Sequence, residues 1–332
     1  MSEEDLIARE NVVITITSTG YAKRTKVDSY RSQRRGGKGV RGAELKQDDV
    51  VRHFFICSTH DTVLFFTNFG RVYRLRAFEL PEASRTARGQ HVANLLEFQP
   101  GEQIAQVIQI QSYEDAPYLV LATAHGRVKK SRLTDYDSPR SGGLIAINLN
   151  EDDRLVGAQL CTDTDDLLLV SEEGQAMRFT ANDETLRPMG RATAGVKGMR
   201  FRGEDQLLAL TVVNEGSQLF VATSGGYGKR TPMEDYPAKG RGGMGVVTFK
   251  YDPKRGKLIG ALTVADDDEI LAITSAGGVI RTEVKQIRST ARATMGVRLV
   301  DLGKDVELLA VDRNIEVEVE EHAEAKALEE EK

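Results

Sequence analysis

Short apolar runs, each closed by a glycine turn, set the pattern of the chain. Val12-Val13-Ile14-Thr15-Ile16, Val63-Leu64-Phe65-Phe66, Leu167-Leu168-Leu169-Val170 and Leu219-Phe220-Val221 are strand-like in length and composition. An x-Gly dipeptide follows each run and supplies the positive φ of a tight hairpin turn. Polar and apolar residues then alternate, as in Tyr21-Ala22-Lys23-Arg24, which predicts a returning strand. Helical periodicity is nearly absent. The exceptions are the first ten residues, where Ser2-x-x-Asp5 predicts a capped short helix, and a Glu/Ala-rich end.

The hairpin pattern recurs six times. Its glycine is Gly20, Gly70, Gly126, Gly174, Gly226 and Gly277, at intervals of 50, 56, 48, 52 and 51 residues. A hydroxyl stands three residues before it (Thr17, Thr67, Thr123, Ser171, Thr223, Thr274), and a basic residue four after it (Arg24, Arg74, Lys130, Arg178, Arg230, Arg281). A second landmark, Arg-x-x-x-Gly before an apolar residue, follows at Arg35/Gly39, Arg191/Gly195, Arg241/Gly245 and Arg292/Gly296. Repeat two fits as Arg85/Gly89, and repeat three is one residue short, Arg140 to Gly143. Another short strand, an acidic turn such as Asp48-Asp49 or Asp152-Asp153, and a last apolar strand complete each unit. Four strands in about 50 residues, six times over, predict an all-β radial repeat of the propeller kind. The expected organisation is a linker over 1–10, six blades over 11–314 and an acidic tail over 315–332.

Charge alters this picture only when divided along the chain. The net charge is −5, yet residues 315–332 hold eight acids against two lysines, and Glu3, Glu4 and Asp5 add three more. Residues 6–314 are therefore +4. The tail reads either as a solubilising end or as a competitor of an anionic ligand for the basic body. No apolar run approaches the roughly 20 residues of a membrane helix, and the acidic start lacks a basic leader, so the expected location is cytoplasmic.

Several motifs lead away from catalysis. Gly37-x-Gly39-x-x-Gly42 and Gly240-x-Gly242-x-x-Gly245 match a dinucleotide fingerprint, but charged residues precede each and β-repeat follows. Gly36-Gly37-Lys38-Gly39 has no Ser or Thr after its lysine to hold magnesium, as a phosphate-binding loop would. Most of the acidic pairs fall at equivalent turns, where Asp bonds its own backbone. Cys57 and Cys161 sit apart in apolar stretches as structural thiols, and the histidines lack ligand spacing. Nothing here arranges an autonomous active site, a metal centre or a cofactor site.

One stretch is charged differently. Residues 31–41 carry five basic residues and no acid: Arg31, Arg34, Arg35, Lys38 and Arg41. Gly36, Gly37 and Gly39 leave backbone free to approach a phosphate chain, and arginine offers a bidentate fork to its oxygens. The heptapeptide Gln33-Arg34-Arg35-Gly36-Gly37-Lys38-Gly39 is identical to the gyrase-box motif. Six 50-residue repeats with the box in the first resemble the C-terminal domain of the DNA gyrase A subunit over essentially the whole chain. That resemblance implies a six-bladed β-pinwheel whose blades exchange strands. It also implies that double-stranded DNA wraps around the rim. The implied partners within an A2B2 holoenzyme are the N-terminal core of the gyrase A subunit plus the gyrase B subunit. ATP and Mg2+ are used elsewhere in that assembly, and no membrane is involved.

Beyond the box, the candidate rim contacts are Lys23, Arg24, Arg31, Arg41, Arg74, Arg88, Lys129, Lys130, Lys229, Arg230, Arg241 and Arg281. The six-fold Arg24 and Arg35 series are open between building blades and meeting phosphate. Lys23, Lys129 and Lys229 alternate to the other strand face, occur in half the repeats, and are favoured as contacts. Arg34 and Lys38 are expected to carry what is special to the box, because repeat five keeps Gly242-Gly243 but has Gly240 and Met244 in their places. Rival readings are the C-terminal domain of the topoisomerase IV A subunit, a propeller that binds proteins, and a flexible Arg/Gly segment that binds RNA.

Overall fold

The apolar runs are continuous because the strands they form are buried on both faces. In Thr62–Thr67 every residue is buried. Val63 and Phe65 pack toward the first blade, beside Val12, Ile14 and Ile16, whereas Leu64 and Phe66 pack toward the third, beside Leu119 and Leu121. Adjacent blades thus share one hydrophobic layer, and five such layers follow one another along the chain. The structure, a computed structural model, describes residues 1–31, 49–140, 142–315 and positions 321, 324, 325, 328 and 329.

Six small antiparallel sheets result. The first pairs the hairpin Asn11–Thr17/Tyr21–Lys26 with Val51–Ser58 of its own repeat and with Gln90–His91 of the next. The following four sheets repeat the plan, taking Leu144–Ile145, Val196–Lys197, Val246–Val247 and Val297–Arg298 from their successors. Among the described residues the sixth sheet has three strands, Glu269–Thr274, Val279–Glu283 and Leu308–Arg313. The architecture is a six-bladed propeller with strand exchange in one direction around the ring.

Position within the blade follows from which strands meet. Ile104–Ile110, Leu155–Cys161, Leu207–Val212, Leu258–Val264 and Leu308–Arg313 lie beside one another in succession and form the inner wall. Thr211 and Thr263 hydroxyls bond across it at 2.8 Å. The exchange strands occupy the opposite, outer edge of the first five sheets. First and last blades meet as well: Ile315 packs against Val13, Val27, Tyr30 and Phe54. Burial lifts the Asp312 carboxyl to about 6 against the opposing pull of Arg52 on the first blade's inner strand.

The glycine expectation holds at every hairpin, whereas Asp49 bonds a hairpin 30 residues earlier and, among the described residues, not its own turn. The six hairpin glycines all have φ between 73° and 98°. The hydroxyl three residues earlier accepts the amide beyond the glycine in five hairpins, as Ser171 Oγ does from Gln175 N at 2.9 Å. In the second, Thr67 donates instead to Glu102. The acidic turns cap neighbouring hairpins: Asp49 receives Ser18 Oγ, Thr19 N and Thr19 Oγ1 at 2.8, 3.1 and 2.6 Å. The N-terminal cap is present but holds only a 3-10 turn, Glu3–Leu6, with Ser2 N donating to Asp5 at 2.7 Å.

Candidate nucleic-acid interface

A residue must reach solvent to meet a phosphate chain, and burial sorts the candidates. Lys23, Lys129, Lys130 and Lys229 are 3%, 0%, 0% and 1% exposed, so their expected place on the rim is corrected. Each ammonium is held by backbone carbonyls, at least one of them from the succeeding repeat. Lys23 Nζ donates to Ser84 O, Arg85 O and Ala87 O at 3.0, 2.7 and 2.7 Å. Lys129 donates to Ala146 O and Arg191 O, and Lys229 to Ala291 O, Arg292 O and Thr294 Oγ1. Burial, aided by the Arg191 and Arg292 guanidinium groups, pulls Lys129 down to about 7 and Lys229 to about 8.

The six-fold basic series also builds joints. Arg24 Nε donates to Leu80 O at 2.8 Å, Lys130 Nζ to Ala181 O at 2.6 Å, Arg178 Nη1 to Met233 O at 3.0 Å and Arg230 Nε to Ile287 O at 2.5 Å. All four acceptors belong to the next repeat. Arg74 approaches Asp137 of the next repeat at 3.8 Å, whereas Arg281, 63% exposed, pairs with Glu269 of its own blade at 3.2 Å.

The Arg-x-x-x-Gly turns carry each exchange strand to its neighbour. Arg191, Arg241 and Arg292 donate to Ile145 O, Lys197 O and Val247 O, the second residue of the preceding exchange strand in every case. The closing glycine lies flat on the receiving hairpin. A Cβ on Gly195 would stand 2.4 Å from Val128 O, and one on Gly245 2.2 Å from Ala176 O. These contacts string the exchange segments of repeats three to six into an outer belt, a feature sequence reasoning missed because its partners lie 40–70 residues apart.

Exposed cations remain on that belt. Lys197 and Arg298 are exposed on exchange strands, Arg200 follows the first of them, and Lys239 and Arg241 flank the turn of repeat five. Arg88 lies over the Tyr21 ring at 3.5 Å, and its buried Nε has no hydrogen-bond partner among the described residues. Arg31 ends the short helix Asp28–Arg31. The box, Gln33 to Gly39, and Arg41 lie outside the described residues.

Other candidate chemistry stays structural. Burial and nearby Asp61 and Asp165 push the free thiols of Cys57 and Cys161 up to about 12. Burial and Arg52 take His53 down to about 3, while His60 and His91 bond Ile7 O and Thr19 O at 2.9 and 2.8 Å.

The family model described as "DNA gyrase C-terminal domain, beta-propeller" matches six consecutive stretches, 11–58, 61–111, 117–162, 165–214, 217–265 and 268–314. Each stretch is one repeat. The chain belongs to the DNA gyrase C-terminal domain family. It is 67% identical over 323 residues to the DNA gyrase A subunit of Mycobacterium tuberculosis (strain CDC 1551 / Oshkosh), covering 97% of this chain and 38% of that protein. The chain thus spans well under half the length of the gyrase A subunits it matches. A solved C-terminal domain of DNA topoisomerase IV superposes with a TM-score of 0.85 at 28% identity, covering 98% of this chain and 99% of that one. A solved DNA gyrase A C-terminal domain gives 0.71 at 28% identity, covering 92% and 99%.

Proposed function

We propose that this chain wraps double-stranded DNA around its rim, largely without reading sequence, as the C-terminal part of a gyrase A subunit. In this reading the wrap presents a DNA segment to the cleavage core in the N-terminal part of the same polypeptide. The B subunit hydrolyses ATP, and the A2B2 assembly introduces negative supercoils into the bacterial chromosome in the cytoplasm. Strand cleavage, Mg2+ and ATP belong to those other parts, so this chain bends and positions DNA without catalysing a step itself.

The observation that carries the reading is the outer belt. Smoothly bending 20–30 base pairs by 40–90° costs roughly 1–6 kcal/mol, which a wrapping protein offsets with cationic contacts spread along the curve. Exchange segments deliver such groups blade after blade: Arg88, Lys197, Arg241 and Arg298 belong to four different repeats. With the hairpin lysines buried, these residues and the box become the proposed phosphate contacts. Gly-rich turns bring backbone amides close as further donors.

The topoisomerase IV reading is favoured by the TM-score of 0.85 alone. The intact heptapeptide and the 67% identity to a mycobacterial gyrase favour gyrase. Relaxed circular DNA incubated with the chain and a nicking–closing enzyme separates the two. A wrapping domain shifts the linking number, and Arg34→Ala with Lys38→Ala abolishes that shift while weak DNA binding persists. No shift with the unaltered chain would overturn the proposal.

A further inference from the structure

The residue three positions beyond the hairpin glycine alternates around the ring: Lys23, Tyr73, Lys129, Met177, Lys229, Ile280. Each lysine is buried against carbonyls of the exchange turn arriving from the next repeat. Among the described residues, Tyr73 and Met177 make no such contact. Tyr73 directs its hydroxyl to Glu102 Oε1 at 2.7 Å and Glu97 O at 3.2 Å, both in its own repeat. Met177 brings an apolar Cε to within 3.0 Å of where a Cβ on Gly243 would stand.

The exchange turns divide in the same way. Those that meet a lysine read Arg85-Thr86-Ala87-Arg88-Gly89, Arg191-Ala192-Thr193-Ala194-Gly195 and Arg292-Ala293-Thr294-Met295-Gly296, each with a single glycine. Those that meet Tyr73 and Met177 contain glycine pairs, Gly142-Gly143 and Gly242-Gly243. Glycine has the widest backbone freedom, so the second class is the more easily deformed. Side-chain clamp and turn composition are separate features, and both mark the same joints.

We propose that Lys23, Lys129 and Lys229 lock blades one and two, three and four, and five and six into rigid pairs, and that the ring deforms at the joints between blades two and three and between blades four and five. A clamped joint cannot open without separating a buried ammonium from its acceptors, which leaves charge and carbonyls unsatisfied. Among the described residues no lysine clamp holds the other two joints; between blades four and five the turn is fastened instead by Arg241 Nε on Thr185 O at 2.6 Å and Gly242 N on Gly198 O at 2.7 Å. Compliance concentrated at two places would let packed pairs pivot as units, in the manner of hinge motions between rigid bodies. This inference does not depend on the DNA reading.

One hydrogen bond, repeated in five blades, supplies the test. The amide following each exchange strand donates to the carbonyl of the hairpin glycine: Val92 to Gly20, Ala146 to Gly70, Gly198 to Gly126, Thr248 to Gly174 and Leu299 to Gly226, at 2.8–2.9 Å. Amide hydrogen exchange on the full chain without DNA should give protection factors at least about tenfold higher at Val92, Gly198 and Leu299 than at Ala146 and Thr248. Lys229→Met should lower protection at Leu299 about tenfold and leave the other four unchanged. Met177→Lys, which adds a clamp, should raise protection at Thr248. Equal protection at all five amides overturns the proposal. So does a Lys229→Met effect spread evenly over the ring, or a Met177→Lys variant whose Thr248 exchanges as before.

Discussion

Replacing Lys129 by methionine sets two large effects against each other in one measurement. The ammonium is fully buried, and burial together with Arg191 outweighs the opposite pull of Asp135, bringing its pKa from 10.5 to about 7. The folded value lies below the unfolded one, so the cost of burying the charge is present in full below pH 7. It is relieved as pH rises toward 10.5, because the folded protein sheds a proton that the unfolded chain keeps. At 1.36 kcal/mol per unit, the natural chain should gain about 2 kcal/mol of stability between pH 7 and pH 9. Methionine has no such slope. Its loss independent of pH falls on Arg191 O, since Ala146 O keeps the Tyr136 hydroxyl at 3.0 Å, and amounts to about 1–3 kcal/mol. Urea unfolding at the two pH values should show the gap between natural chain and variant widening by about 2 kcal/mol in favour of lysine. A constant gap would refute the reasoning, because it would mean that the carbonyl acceptors hold the ammonium charged and that burial does not prevail.

Two further outcomes test the joints and turns. Gly195→Ala combines a φ of +78° with a Cβ 2.4 Å from Val128 O and should cost about 2–4 kcal/mol by calorimetry, whereas Gly216→Ala, at φ +74° with nothing within 4 Å, should cost only the backbone share of about 1–2 kcal/mol. Asp49→Ala removes the acceptor of three hydrogen bonds and should cost about 2–3 kcal/mol at pH 7. Burial raises the Asp49 carboxyl, but bonds from Thr19, Ser18 and Thr17 together lower it, so this contribution is full above pH 3.8 and should vanish as acid titration passes below it.

The hairpins were legible because everything they need is local. Strand length, turn glycine and hydroxyl lie within ten residues, and Ser171, Gly174 and Gln175 form the turn their spacing predicts. The blade count followed from the same landmarks. Lys23, Lys129 and Lys229 were misread for the opposite reason. Strand alternation places them off the Arg24 face correctly, but what covers that face is a turn more than 60 residues downstream. A charged residue with no visible acid looked solvent-facing, whereas its acceptors are backbone carbonyls, which leave no trace in residue identities. One signal was available: lysine at the third position past the glycine accompanies an Ala/Thr turn in the next repeat, and its absence accompanies Gly-Gly.

Strand exchange shifts the blade in space relative to the repeat in sequence. The second blade runs from Thr62 to Ile145 and passes over Gln90–His91, which belongs to the first. For the first five blades no contiguous 50-residue segment therefore contains a whole sheet; any such cut strips one sheet of its outer strand and leaves another strand without a home. A protease that nicks a single connection should release no fragment, because each piece stays woven into its neighbours. Gene-level loss of one repeat is tolerable only where the break points fall at equivalent positions, so that the orphaned edge and the orphaned strand are made for each other.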